Sequence, residues 1–342
     1  MPSPTMADIA RAAGVGKATV SLALRNDPRL RRETCKRIRS VADRLGYKSN
    51  AVVANLMAQL RVARNPKYQA TIAILNASEN RDFLHKNPTY SALTHGILER
   101  CGGLGYGGNE IWLHEPGLDG ERLQRLLAAR NIRGVVLAGM VDTMMKLPAK
   151  LDRVWKDVSC VAVGIRPDHP PFHFACNDQF STALHTARQL SRLGYKRPAL
   201  AIDPLIEKVI DRRFSAGFQT EGLFAGRENF VPPFDFDPRA KRRFGVWLRQ
   251  YGPDAIVTTH AEVRQWVAEL GIRCPRDIGL AHLDINKGMD GWSGMDQCNE
   301  LVGAYAIDML VGMLHRAETG IPETSKCIMT ESRWVPGKTL RK

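Results

Sequence analysis

Apolar positions in this chain follow two rhythms. In the first fifty residues they recur at helical spacing. Thr5 stands ahead of Ile9, Ala10 and Ala13, with Asp8 three residues after it, the spacing of a capping box. Gly14 ends that helix, and a second begins near Lys17 with Val20, Ala23 and Leu24 turned inward. A third is predicted over about 32–45, where Ile38, Val41, Ala42 and Leu45 repeat and Gly46 suits the position just past a helix end. Together with Ile9, these residues predict a miniature three-helix core. Beyond residue 70 short apolar runs alternate with amphipathic segments. Strands are predicted over 71–75, 110–114, 134–137, 160–163, 199–202, 255–258 and 279–282. Helices are predicted over 90–104, 120–130, 180–193, 212–223, 238–251, 261–270 and 300–316. This alternation predicts parallel sheets wrapped by helices, so the expected fold class is an all-α head followed by an α/β core.

Charge sharpens the division. From Met1 to Tyr68 fourteen Lys and Arg face only four Asp and Glu, a net +10 of the +14 carried by all 342 residues. Cationic excess confined to one small segment is what phosphate neutralisation requires. Two short helices joined by a tight Gly turn, in that same segment, read as a helix-turn-helix that lays its second helix in the major groove of DNA. The polar, basic stretch over 61–68, with Pro66, separates this head from the rest.

Several function classes recede. No run of eighteen apolar residues predicts a membrane span, and the N-terminus carries no apolar secretion core, so a cytoplasmic protein is expected. Seven scattered cysteines (Cys35, Cys101, Cys160, Cys176, Cys274, Cys298 and Cys327) contain no C-x-x-C, which argues against a disulfide framework and a zinc site. No metal or cofactor is expected. No Walker-type loop, H-E-x-x-H or G-x-S-x-G occurs, so no enzyme is expected. The glycines from Gly103 to Gly108 fit G-x-G-x-x-G, but they precede a strand and read as a flexible helix-to-strand turn.

Residues 5–47 resemble the lactose-repressor (LacI) family of bacterial transcription regulators. Asp8-Ile9-Ala10, Ala13-Gly14-Val15, Ala18-Thr19-Val20-Ser21, Thr34 and Leu45-Gly46-Tyr47 carry the likeness, and residues 50–57 resemble the family's hinge helix. The resemblance implies base-reading positions at Lys17, Ala18 and Leu22. Lys can donate to guanine, whereas Ala and Leu can only meet a thymine methyl or exclude polar edges. Many family members have Arg where Leu22 stands, so fewer hydrogen-bonded base contacts are expected. Gly16 replaces the usual Ser at the reading helix's cap. Thr5, Thr19, Ser21, Asn26, Thr34, Tyr47 and Asn50 match positions that touch phosphates. Leu56, beside Val53, matches the residue that wedges into a base step from the minor groove. The hinge is expected to be helical only when two copies meet on DNA.

More loosely, the resemblance extends through the remaining chain, as a core like a two-lobed periplasmic sugar-binding protein. Asn87-Pro88-Thr89-Tyr90, Asp178, Gly217-Phe218, the run from Leu270 to Asp284 and Gln297 carry it. Expected domains are a head over 1–49, hinge and linker over 50–69, and a core over 70–342. In that core lobe one spans about 70–174 and 299–324, and lobe two about 175–298 and 325–342. Effector candidates on loops converging from both lobes are Asn76, Asp142, Asp178, Arg213, His260, Asp284 and Gln297, with Phe83, Phe180 and Trp292 as aromatics able to stack on a ring. Arg213 departs from the pattern, because Phe214 occupies the place three residues before Gly217 where the family's Arg stands. The resemblance implies a homodimer on a pseudo-palindromic double-stranded operator, with a sugar or related metabolite controlling a repressor through the lobe angle. A constitutive DNA binder with an unused cleft and a solute-binding protein are the competing readings.

Overall fold

The computed structural model describes residues 5–24, 30–45, 70–140, 147, 149–224 and 231–342. The expected hinge and linker over 50–69 lie outside the described residues. So do Asn26, Tyr47, Asn50, Val53, Leu56 and Asp142, and the side chains of Ala18 and Ser21.

The head contains α1 (Met6–Ala13), α2 (Lys17–Leu24) and α3 (Arg32–Arg44). Thr5 closes the start of α1. Its backbone N–H and its hydroxyl both donate to the Asp8 carboxylate, at 2.9 and 2.6 Å. Gly14 turns the chain out of α1 with φ +64°, a left-handed conformation that costs a side-chain-bearing residue more. Ile9, Val20, Ala23 and Ile38 are fully buried, with Ala10, Cys35, Val41 and Ala42 packed around them. Leu45, expected in this core, is 40% exposed because α3 ends at Arg44 and leaves it at the cap.

The remaining chain forms two lobes, each around a six-stranded sheet. Lobe one begins with β1 (Ala70–Asn76), α4 (Phe83–Lys86), α5 (Pro88–Gly103), β2 (Tyr106–Trp112), α6 (Gly120–Ala129), β3 (Gly134–Ala138), β4 (Ser159–Val163) and β5 (His173–Asn177). The chain then enters lobe two through α7 (Gln179–Arg192), β6 (Pro198–Ile202), α8 (Pro204–Val209), α9 (Arg213–Phe224), β7 (Phe234–Asp235), α10 (Lys241–Tyr251), β8 (Ala255–Thr258), α11 (Glu262–Glu269), β9 (Gly279–His282) and β10 (Ser293–Asp296). It returns with α12 (Asn299–Arg316) and β11 (Cys327–Thr330) on the first sheet, and ends with β12 (Arg333–Val335) on the second. Sheet one runs β11-β5-β4-β3-β1-β2, all parallel. Sheet two runs β12-β10-β9-β8-β6-β7, with β12 alone antiparallel.

Central strands such as β3 and β4 are buried along their whole length, which explains why they read as continuous apolar runs. Helices cover both faces of each sheet, giving two apolar clusters per lobe. Because β5 and β11 belong to sheet one, the first and third crossings fall after Asn177 and after Thr330, a few residues beyond the expected 174/175 and 324/325. The expected turn over Gly103–Gly108 resolves into the end of α5 and the start of β2. A Cβ on Gly108 would collide with the Leu98 side chain, so strand glycine here permits close approach of α5.

Candidate functional site

Lys17 is exposed at the start of α2, in which Val20 and Ala23 are buried and Thr19 and Leu22 are half-buried. Gly16 accepts the Val20 amide at 3.1 Å through its carbonyl and has no side chain to cap α2. Thr34 is half-buried near the start of α3. Thr5 is exposed with its hydroxyl engaged by Asp8. Arg31, at the cap of α3, and Arg32, Lys36, Arg37 and Arg44 along it are exposed, so these cations are displayed at the surface.

Between the lobes lies a cavity of about 540 Å³, walled by α4, α5, and the ends of β4 and β5 from lobe one, and by α8, α9 and the ends of β8 and β9 from lobe two. Strand C-terminal ends converge there, the usual ligand position in sheets of this kind. Much of the wall is apolar, from Phe83, Tyr90, Leu93, Ile165, Ile206, Val209, Ile210, Phe214 and Met289.

Of the effector candidates described, His260, Asp284 and Gln297 line this cavity and Asn76, Asp178 and Arg213 do not. Asn76 is buried at the end of β1, where its amide donates to the Arg81 carbonyl at 2.9 Å and its oxygen accepts the Ser78 amide at 3.1 Å. It shapes the loop after β1. Asp178 caps α7, accepting the Ser181 amide at 3.0 Å and hydroxyl at 2.8 Å. Arg213 reaches Met329 and Asp211 outside the cleft, and Phe214 beside it takes the inward place. Among the aromatics, Phe83 lines the cavity at 4.9 Å from the Tyr90 ring, Phe180 is exposed on α7, and Trp292 is buried in lobe two at 5.2 Å from the His282 ring.

Asp284 is the best-connected of these groups. One carboxylate oxygen accepts the Thr89 hydroxyl at 2.5 Å and the other accepts the Asn299 amide at 2.9 Å. Thr89 belongs to α5 of lobe one, so this bond joins the lobes across the cleft. Burial pushes the Asp284 carboxyl up from the usual carboxylate range, and the Thr89 and Asn299 donors oppose that shift. The Asn299 bond crosses too, because α12 belongs to lobe one, and a further inter-lobe contact runs from the Asn177 amide to the Gln297 carbonyl at 2.8 Å, while the Gln297 side chain donates to the Leu283 carbonyl at 2.8 Å. The sequence singled out Thr89 only as part of a motif. Nothing in its spacing announces a partner 195 positions away.

His260 is stacked on Phe236, with centroids 3.7 Å apart and planes 9° apart, and Phe236 is stacked on Trp266 at 5.0 Å. Burial holds its imidazole below the ordinary histidine value. Its Nε2 and the hydroxyl of Thr259 are buried without a hydrogen-bond partner. Two adjacent unsatisfied polar atoms in the wall of an apolar cleft are the arrangement a ligand would complete. Thr259 was not foreseen from the sequence.

Comparison with known proteins follows the same division. Residues 5–50 match the family model described as bacterial regulatory proteins, lacI family. Over nearly its full length the chain is similar to the HTH-type transcriptional regulator PtxS of Pseudomonas putida, with 26% identity over 344 residues, 92% of this chain and 91% of the relative. It is 31% identical over 138 residues to the maltose regulon regulatory protein MalI of Escherichia coli, 40% of this chain and 35% of that protein. The fold is shared with a transcriptional regulator CelR–cellobiose complex (TM-score 0.62, 20% identity, 98% of this chain and 99% of the other). It is shared also with the lac repressor dimer bound to operator and the anti-inducer ONPF (TM-score 0.59, 18% identity, 100% of each chain). Among the described residues no helix is long and apolar enough to cross a membrane. Head and core agree: residues 5–50 match the lacI-family model, and the chain is similar over nearly its full length to an HTH-type transcriptional regulator.

Proposed function

We propose that the chain is a sequence-specific DNA-binding transcriptional regulator, acting as a repressor and controlled by a small effector held between its lobes. The observation that carries this reading is the pairing of a helix-turn-helix, in the segment that holds most of the net positive charge, with a cleft whose two walls are joined by only a few polar contacts. The protein works as a homodimer, since one reading helix covers a few base pairs and two copies read a pseudo-palindrome. Lys17, Ala18 and Leu22 are the proposed base readers. Thr5, Thr19, Ser21, Asn26, Thr34, Tyr47 and Asn50 are the proposed phosphate contacts, and Val53 and Leu56 the minor-groove wedge. The regulatory mechanism has no catalytic step, and the protein acts in the cytoplasm.

In the cleft, Thr259 and His260 are the proposed effector-facing polar groups, with Gln297 beside them and Phe83, Tyr90 and Phe214 against the ligand's apolar face. Asp284, engaged by Thr89 and Asn299, serves as the lobe clasp. Kinship with a regulator solved with cellobiose supports a sugar or related metabolite. An effector acts only through the difference in its affinity for the two lobe arrangements. Selection of bound DNA from random oligonucleotides tests the reading. A two-fold-symmetric site with a fixed centre is expected, and equal, weak binding to every sequence overturns it.

A further inference from the structure

Seven cysteines are present, and among the described residues two of them meet. The Sγ atoms of Cys176 on β5 and Cys327 on β11 lie 3.8 Å apart. Cys176 is buried and Cys327 is exposed on the edge strand of sheet one. In the parallel ladder Met329 faces Cys176 and Phe174 faces Cys327, so the thiols are diagonal neighbours on one face. Two guanidinium groups flank them. Arg213 of lobe two reaches the Met329 sulfur at 4.0 Å, and Arg166 lies 5.6 Å over the Phe174 ring. Asp178 is the acidic group that opposes them, and it is engaged by Ser181.

We propose that Cys327 is a site of oxidation by small hydroperoxides, with Cys176 as its resolving thiol. An exposed sulfur 3.8 Å from a buried thiol, with two guanidinium groups nearby, has the surroundings of a reactive thiolate. The Cys176 bond lowers the Cys327 thiol below its ordinary value, with Arg213 and Arg166 adding to it, while the same bond and burial push Cys176 up and keep it the proton donor. In the first step the Cys327 thiolate attacks the distal peroxide oxygen. An S–O bond forms, the O–O bond breaks, and the departing alkoxide or hydroxide takes a proton. In the second step the Cys176 sulfur attacks the sulfenic sulfur, an S–S bond forms, and hydroxide leaves with the Cys176 proton as water. Two thiols lose two electrons, and the peroxide is reduced to water and an alcohol, or to two waters.

Closing 3.8 Å to a covalent bond of about 2.05 Å draws the edge strand against β5, because the two residues are not directly opposed. β11 has a sheet neighbour on one side only, so it is the strand free to move. Both strands lead directly into lobe crossings, after Asn177 and after Thr330, and the Arg213–Met329 contact joins the lobes at the same place.

The test treats full-length protein with iodoacetamide at pH 7, then separately with hydrogen peroxide, and maps peptides by mass spectrometry. Half-buried Cys274, whose thiol burial pushes up, is the internal comparator. Cys327 should alkylate at least tenfold faster than Cys274. Peroxide should yield a Cys176–Cys327 disulfide that dithiothreitol reverses. In Cys176→Ser the product should stop at a dimedone-reactive sulfenic acid on Cys327. Cys176→Ala serves the same purpose should Ser at this buried position unfold the sheet. Equal alkylation of Cys327 and Cys274, or peroxide treatment that leaves the pair unlinked in the wild-type chain, overturns the proposal.

Discussion

His282 is a neutral imidazole buried beside Trp292, its Nδ1 accepting the Asp284 amide at 3.1 Å. Burial, with His260 nearby, holds it down at about 4, against 6.5 for an ordinary histidine. Between those values the unfolded chain binds a proton that the folded chain refuses. The contribution is therefore intact above about pH 6.5 and is lost as pH falls through about 4, a swing of roughly 3 kcal/mol. In denaturant titrations from pH 7 to 4.5, His282→Asn should start less stable and lose less stability on acidification than wild type. Parallel curves for the two proteins would remove His282 as the cause. In the head, Lys17 is the residue with most to lose. Lys17→Ala should weaken preference at the base pair beneath it by about 1–2 kcal/mol, roughly tenfold, in competition binding against single-base variants of the selected site. A uniform loss across all sequences would reassign Lys17 to phosphate contact.

At the scale of elements, α5 and α12 cross at a pair of glycines. A Cβ on Gly303 would collide with the Leu93 carbonyl and stand 3.0 Å from the Ile97 amide nitrogen, and one on Gly96 would strike the Glu300 carbonyl. These obstacles are backbone and cannot swing aside. Gly303→Ala should cost about 2 kcal/mol or more and lower Tm by several degrees. Gly312→Ala on the same helix meets only the far end of the Arg316 side chain, at 3.1 Å, which can shift with its Glu318 partner at the surface. It should be neutral or stabilising by up to about 1 kcal/mol, since Ala is the better helix former. Similar Tm losses for both variants would show that helix propensity, not the crossing, sets the cost. The longer helices were legible in sequence because each lays one apolar stripe on a sheet; α12 was expected over 300–316 and runs Asn299–Arg316, while the short α4 and α8 were not expected. Strands β5, β7, β10, β11 and β12 were not legible. β5 carries His173 and Asn177, buried polar residues paid for by bonds to Lys326, Gln297 and Asn299 that no local pattern reveals. β11 and β12 are short edge strands with exposed positions. The cleft divides in the same way. His260 and Asp284 follow β8 and β9, strands that the pattern located, and Thr259 shares the β8 end; Gln297 follows β10, which the pattern missed, and Thr89 enters through tertiary contact.

For the whole molecule, the consequential contact is the smallest. Lobe one and lobe two share a hydroxyl–carboxylate bond, Thr89 to Asp284, at the rim of a cavity of about 540 Å³. Replacing Thr89 with Val keeps the shape and removes the donor. Asp284 then keeps the Asn299 donor but loses the hydroxyl, and a buried acceptor that loses a partner costs about 1–3 kcal/mol. That cost falls only on the arrangement in which Asp284 is shielded by α5, so the balance moves toward separated lobes, where water can replace the hydroxyl. The shift is bounded by the same figure, roughly five- to a hundred-fold in the ratio of the two arrangements. Small-angle scattering of Thr89→Val should give a larger radius of gyration than wild type, and Thr89→Ser, which restores the hydroxyl, should return it toward the wild-type value. Operator affinity should change in Val and recover in Ser, because the lobe arrangement and the heads are coupled through the chain between them. A Val variant with lowered Tm but unchanged scattering and unchanged DNA binding would make the Thr89–Asp284 bond a structural contact without a part in control.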